Sequence, residues 1–306
     1  MWVAEEARDA FVPLAGCAGA TQRIGIGAGA ALAFVRSPLA TALAALDLDD
    51  LSGGRLRLGL AAGSPRVVER WHGMPADAPV ARMRETVVAV RTFIERIHSG
   101  DAIDLAGEHT QHQVRGWRRP FPPRRDTVPI LVESIGPAMT QLTGEIGDGW
   151  IAPEVSSARS LDQHVLPNLR IGLERSGRSN ADLHVVASAI CVPRPDGDDA
   201  RRIAAHALAY YATVAHHAAN LDAHGFDREV AEVRGRFAAG DAAGAVDAVT
   251  DDMVATLTLA GTPDEVLDRM TAYEGLADVV KLSAPSNGLP AEMIREVQAA
   301  ILELFA

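Results

Sequence analysis

Apolar positions follow two alternating periods along the chain, and this pattern predicts a parallel sheet covered by helices. Short apolar runs of strand length occur near residues 1, 24, 57, 130, 150, 185 and 280, and segments with apolar residues at helical spacing follow nearly all of them. Strict alternation of strands and helices is typical of a parallel sheet. A (β/α)8 TIM barrel has one strand more than this pattern provides. We therefore expect a barrel whose first β/α unit is missing before Met1.

The clearest unit of the pattern lies between residues 128 and 153. A strand at 128–132 is followed by a turn with Gly136 and Pro137, then by a short helix, and then by a strand that starts at Trp150. Proline is favourable in the first helical turn. The free amides of that turn predict an anion site at the carboxyl end of a parallel strand, and a plain strand-to-helix turn is the alternative.

Local signals define other elements. Ser37 is a good N-cap for a helix that extends to Leu51, and Thr262 is another N-cap. The Arg- and Pro-rich stretch 101–125 predicts a short hairpin that begins near Ile103. Periodicity predicts a helix over 250–259.

Composition limits the possible domain organisations and the classes of binding partner. The 306 residues are 48% hydrophobic, which suits one barrel or two smaller domains. We expect a single domain over 1–306, with a mainly helical insertion at about 195–260. The net charge of −11 argues against nucleic-acid binding, and the apolar runs are too short for a membrane span. The charged first ten residues are unlike a signal peptide. Cys17 and Cys191 are expected to be free thiols in a reducing cytoplasm.

The sequence lacks the motifs of several common enzyme classes and of metal sites. No nucleophile-elbow, P-loop or CxxC pattern occurs, and the glycines of the segment 25–29 lack the spacing of a dinucleotide fingerprint. His206 and His217 could share a helix face, but no carboxylate pair completes a metal site. We expect no bound metal.

Taken in order, the motifs of the chain resemble those of a known family. They are TQRIGIGAG at 21–29, SGGR at 52–55, LGLAAG at 58–63, RMRETVVAVR at 82–91, GPAMTQLTGEIGDGW at 136–150 and GTPDEV at 261–266. This series is similar to that of the bacterial luciferase-like monooxygenase superfamily, in its coenzyme F420-dependent branch, which includes the methylenetetrahydromethanopterin reductases. The resemblance implies a (β/α)8 barrel with its site at the carboxyl ends of the strands.

The resemblance also implies the residues that bind the cofactor. A bulge of small residues would lie under the ring, in a region where the family often has a non-prolyl cis peptide. Further small residues would line the ring, and the turn before the helix at 137 would hold the phosphate or side chain. Carried over, the cofactor-binding positions are Gly27, Ala28, Gly29, Ala61, Ala62, Gly63, Glu133, Ser134, Gly136, Pro137, Ala138, Met139, Gly149 and Trp150.

A proton donor near the accepting atom would assist hydride transfer. Glu5 and Glu6 follow the first strand, and His72 lies in the loop after the third, so these are the candidate catalytic residues. A solvated terminus and loop packing are the alternatives. Arg115, Arg118 and Arg119 could attract the acidic tail of the deazaflavin, or form a solvated basic face.

The motifs and the missing first unit leave three functions open. The first is an F420-dependent oxidoreductase that acts on a small organic substrate. The second is an FMN-dependent monooxygenase with a separate flavin reductase. The third is an inactive scaffold or partner subunit. The family commonly forms homodimers, which implies a homodimer here with a contribution from the helix 37–51.

Overall fold

The computed structural model describes residues 1–5, 8–214, 217, 221, 224–287 and 289–306. These residues form two compact units. The first contains Met1–Ile151 and Pro167–His184, and the second contains Ala152–Leu166 and Val185–Ala306. A single domain over the whole chain stays a prediction.

The first unit is built on parallel strands. In chain order its strands are β1 (Trp2–Val3), β2 (Ile26–Leu32), β3 (Leu56–Ala61), β4 (Ile103–Ala106), β5 (Gln111–Val114), β6 (Ile130–Glu133) and β7 (Gly149–Ile151). The sheet order is β1-β2-β3-β6-β7, and each strand is parallel to the next. β4 and β5 form a separate antiparallel hairpin, so the hairpin predicted near Ile103 is confirmed.

Helices connect the parallel strands of this unit and pack on the sheet. They are α1 (Phe11–Ala20), α2 (Pro38–Ser52), α3 (Pro79–Arg96), α4 (Pro137–Ile146) and, across the boundary of the units, α5 (Leu166–Arg175). The predicted N-cap of α2 is confirmed, because Ser37 Oγ accepts a 3.2 Å hydrogen bond from the Ala40 amide. The core of this unit packs Leu14, Leu46 and Phe93 from the helices against Leu58 of β3.

The second unit contains β8 (His184–Pro193), β9 (Thr258–Gly261) and β10 (Val279–Ser283), and β9 and β10 each pair in parallel with β8. Its helices are α6 (Gly197–Thr213), α7 (Asp227–Ala238), α8 (Ala242–Asp247), α9 (Asp251–Leu257), α10 (Pro263–Met270) and α11 (Ala291–Glu303). The N-cap at Thr262 is confirmed as a capping box, in which Glu265 accepts a 2.7 Å hydrogen bond from the Thr262 amide. Leu208, Val230 and Met253 lie in the core.

Two strands differ from the sequence predictions. The helix predicted over 250–259 ends at Leu257, and β9 begins at Thr258. Apolar residues continue across that junction, so periodicity gives no boundary. With β9, the described residues contain eight parallel strands, whereas the sequence predicted seven. The strand predicted near residue 24 runs from Ile26 to Leu32. Its second half was not predicted, because that half is rich in alanine, a residue with low strand propensity.

Two predictions from composition can be compared with the described residues. None of their helices combines the length and the hydropathy that crossing a membrane requires. Both cysteines are free; Cys191 is buried and Cys17 is half-buried. Burial raises the pKa of the Cys191 thiol to about 12, so this thiol stays protonated near neutral pH.

Candidate active site

The carboxyl ends of four strands meet in one row in the first unit. The strand register places Leu32 beside Ala61, Ala61 beside Glu133, and Glu133 beside Ile151. In (β/α) barrels this end of the sheet carries the active site. The row therefore brings together the predicted residues that end β3 and β6 and those of the loops that follow.

A bulge distorts β2 just before this row. The register between β2 and β3 shifts between Ala28 and Ala31, and the peptide bond between Gly29 and Ala30 is cis. A Cβ atom on Gly27 would lie 2.4 Å from the indole ring of Trp2, and one on Gly29 would lie 3.0 Å from it. Packing against Trp2 therefore explains both glycines. Contact of the segment 27–29 with a cofactor stays a prediction.

Other glycines of the site also have neighbours that exclude a side chain. A Cβ on Gly59 would lie 2.2 Å from the carbonyl oxygen of Ala28, and one on Gly149 would lie 2.4 Å from the carbonyl oxygen of His184. Gly63 has a φ of +72°, the left-handed region that favours glycine. Because Gly59 and Gly149 have no side chain, neighbouring strands can approach closely beneath the row.

The turn between β6 and α4 has the form of an anion site. Gly136 has a φ of +78°, and α4 starts at Pro137 without a side-chain cap and without an acid in its first turn. The turn is fixed by Ser134 Oγ, which lies 3.1 Å from Thr140 Oγ1, and by the buried Trp150, whose Nε1 donates to the Ser134 carbonyl at 3.4 Å. The amides at the start of α4 can therefore donate hydrogen bonds to an oxyanion ligand.

Glu5 lies in an ion pair against the end of β2. Its carboxylate accepts hydrogen bonds from the Leu32 amide at 2.8 Å and from the Arg36 guanidinium at 2.7 Å, and Arg36 also contacts Asp9. The Glu5 side chain is only 8% exposed. The hydrogen bond to Glu5 is the main cause that raises the pKa of Arg36 above its ordinary value. This arrangement pairs the two charges and fixes the segment after β2.

The other predicted catalytic residues lie elsewhere or outside the described residues. Glu6 is not among the described residues. His72 is exposed and follows a short helical turn, Arg66–Trp71. Of the arginines considered for a cofactor tail, Arg119 is buried and pairs with Asp47 and Asp50, while Arg115 pairs with Asp104. The buried Arg119 therefore stabilises the fold locally, whereas the exposed Arg115–Asp104 pair contributes little to stability.

The second unit contains a polar cluster that sequence reasoning missed. The Tyr211 hydroxyl donates to Glu154 at 2.8 Å, and Ser157 Oγ lies 2.6 Å from His224 Nε2. Glu154 and Ser157 come shortly after β7, so a search for polar residues after every strand would have found them. Among the described residues, no group of three His, Cys, Asp or Glu side chains could hold a metal ion.

Glu85 of α3 anchors the turn of the β4–β5 hairpin. Its carboxylate accepts hydrogen bonds from the amides of Glu108, His109 and Thr110, at 3.0, 2.8 and 2.8 Å. Burial alone would raise the pKa of Glu85, but these bonds lower it below its ordinary value. Ionised Glu85 therefore stabilises the folded hairpin.

We expect the substitution Glu85→Gln to lower the free energy of unfolding by about 2 kcal/mol at pH 7, because an amide accepts these bonds more weakly than a carboxylate. The folded-state pKa is lowered, so the stabilisation is complete above the ordinary glutamate pKa and is lost as the pH falls through the folded-state pKa. Urea unfolding of both proteins at several pH values measures this. The exposed Glu95→Gln on the same helix is the control and should behave like the wild type.

Known proteins resemble this chain in sequence and in fold. A family model described as luciferase-like monooxygenase matches residues 1–278. The 5,10-methylenetetrahydromethanopterin reductase of Archaeoglobus fulgidus is 31% identical over 85% of this chain and 77% of its own. The solved coenzyme F420-dependent tetrahydromethanopterin reductase of Methanopyrus kandleri has a TM-score of 0.80 and 22% identity, covering 100% of this chain and 90% of that one.

A second solved structure has the same fold. It is the oxygenating constituent of 3,6-diketocamphane monooxygenase from Pseudomonas putida, in complex with FMN, with a TM-score of 0.65 and 17% identity over 98% of this chain and 86% of that one. The predicted fold class, a luciferase-like TIM barrel, is confirmed.

Proposed function

Because the chain belongs to the luciferase-like monooxygenase family, we propose that it is a coenzyme F420-dependent oxidoreductase. It would transfer a hydride between the deazaflavin and a small organic substrate. The observation that carries this proposal is the row of strand ends in the first unit, where small residues adjoin an uncapped helix start. The fold that the chain shares with the coenzyme F420-dependent tetrahydromethanopterin reductase of Methanopyrus kandleri supports the F420 assignment.

The residues present suit such a cofactor. Ala61 ends β3 and Ala62 follows it, and these small side chains leave space beside the strand ends. The turn at Gly136 and the first amides of α4 would hold an acidic group of the cofactor by hydrogen bonds. When bound, F420 supplies the hydride chemistry, and the protein supplies orientation and a pocket that excludes water.

The chain must also provide a proton for many hydride acceptors. Proton donation by Glu5 would require its ion pair with Arg36 to break, so we assign Glu5 to positioning the end of β2. Glu6 and His72 remain the proposed donors from sequence.

The alternative is an FMN-dependent monooxygenase. It is supported by the shared fold of the FMN-containing monooxygenase from Pseudomonas putida. Both cofactors carry a tricyclic ring and a phosphate, so the same small-residue row and the same helix start would serve either one.

A side-by-side titration with F420 and FMN, followed by tryptophan fluorescence, tests the proposal. Saturable F420 binding with a weaker or absent FMN response supports it. Tight FMN binding without F420 binding would establish the monooxygenase alternative. Binding of neither would favour a scaffold or partner subunit.

We also propose that the protein is a cytoplasmic homodimer, on the basis of the family resemblance. Helix α2 would contribute to the dimer, and Leu51 near its end is 54% exposed. Light scattering that gives the mass of one chain would contradict this proposal.

A further inference from the structure

A cavity of about 320 Å³ lies in the first unit, beside the row of strand ends. Its walls come from four segments: the loop 33–38 after β2, Met74 and Pro75 after β3, Arg82 and Thr86 of α3, and the hairpin turn 109–112. This volume is in the range of sites for small ligands. Because Glu85 fixes the hairpin turn, one wall of the cavity is anchored.

The charged and titratable side chains that line the cavity are Arg36, Arg82, His109 and His112, and no carboxylate is among its lining residues. Arg36 already pairs with Glu5 and Asp9. Arg82 is different, because its side chain is 18% exposed and its carboxylate partner, Asp77, is 68% exposed. Because the Asp77 carboxylate is exposed, its pair with Arg82 contributes little to stability. A ligand carboxylate or phosphate can replace this carboxylate at small cost, while Arg82 Nε keeps its 2.8 Å hydrogen bond to the Asp77 carbonyl.

His109 and His112 line the hairpin side of the cavity. Burial lowers the pKa of His112, so its ring is neutral at pH 7. Its Nε2 atom is buried and has no hydrogen-bond partner among the described residues. Unpaired buried polar atoms are rare in folded proteins.

The remaining wall is apolar. Phe34, Val35, Met74 and Pro75 line the cavity alongside the polar groups. A ligand that fills the space must therefore combine an apolar body with an acceptor-rich head. An inorganic ion alone would leave the apolar wall uncovered.

We propose that this cavity binds a small organic anion, with its apolar body against Met74 and Pro75 and its oxyanion head against Arg82. The head is a carboxylate or a phosphate, since both accept hydrogen bonds from a guanidinium. The site does not depend on the identity of the cofactor.

The test uses ligand-observed NMR and calorimetry with benzoate, phenyl phosphate and the neutral isostere benzamide. We expect one of the anions to bind at least about tenfold more tightly than benzamide, because the hydrogen bonds to a charged head are lost in the amide. The anion that binds identifies the head group. Equal binding of benzamide, or no binding of either anion, would overturn the proposal.

Variants locate the binding site. Arg82→Gln should weaken binding of the anion by at least about tenfold. Arg84→Gln removes a 48% exposed guanidinium two residues further along the same helix and should have no effect. Met74→Trp keeps Arg82 but fills the cavity, so it should also abolish binding. Unchanged binding in both Arg82→Gln and Met74→Trp would place the anion elsewhere and refute the site.

Discussion

The substitution Gly59→Ala is expected to destabilise the protein by about 3 kcal/mol or more. Gly59 lies in the middle of β3, where a Cβ would meet the Ala28 carbonyl oxygen at 2.2 Å and Ile151 Cδ1 at 2.5 Å. Neither neighbour can move freely, because Ala28 is part of the β2 bulge and Ile151 ends β7. Strands β2 and β3 would have to separate, and the row of strand ends would be displaced.

Urea unfolding followed by circular dichroism measures this effect. Gly16→Ala is the matched control, because Gly16 is an exposed interior residue of α1 with no heavy atom within 4 Å of an added Cβ. Alanine has the higher helix propensity, so that variant should gain about 0.5–1 kcal/mol. If Gly59→Ala unfolds at the same urea concentration as the wild type, the close approach of β2 and β3 is wrong.

The second large effect is expected from Glu5→Gln. The glutamine removes the charge that pairs with Arg36 and weakens the acceptor for the Leu32 amide. Removing one partner of a buried pair costs about 3–5 kcal/mol, and partial exposure of Arg36 reduces this to about 2 kcal/mol. We also expect weaker F420 binding, because Leu32 lies beside Ala61 in the row.

A double-mutant cycle separates the interaction free energy of Glu5 with Arg36 from the effects that each side chain has on its other neighbours. Arg36→Met in the Glu5→Gln background should cost less than Arg36→Met in the wild type. Asp9→Asn is the control for charge, since Asp9 contacts the same guanidinium but is 39% exposed, and it should cost less than Glu5→Gln. Additive effects of Glu5→Gln and Arg36→Met would contradict the assigned positioning role.

Local signals in the sequence predicted much of the fold. Ser37 and Thr262 were recognised as N-caps because each satisfies amides within its own helix. β9 was missed because a four-residue strand directly follows an apolar helix. No local sequence pattern marks where the helix ends and the strand begins.

The site was less predictable because its contacts join distant residues. Alternation of strands and helices is enough to place Ala61 and Glu133 at one edge. The Glu5–Arg36 pair spans 31 positions, and the contact of Trp2 with Gly27 depends on which strands are adjacent. The glycines of β2 were first explained by a ligand, whereas the structure gives them a packing role as well.

Binding of F420 at the row of strand ends is tested most directly by the F420 dissociation constant of the wild type and of Ala62→Phe, measured by calorimetry. Phenylalanine would fill the space beside the end of β3, whereas Ala102→Phe places the same side chain on an exposed loop of the same unit. We expect saturable binding by the wild type and by Ala102→Phe, and a loss of at least about tenfold in Ala62→Phe. Equal affinity of all three proteins, or no F420 binding by the wild type, would contradict a cofactor site at these strand ends.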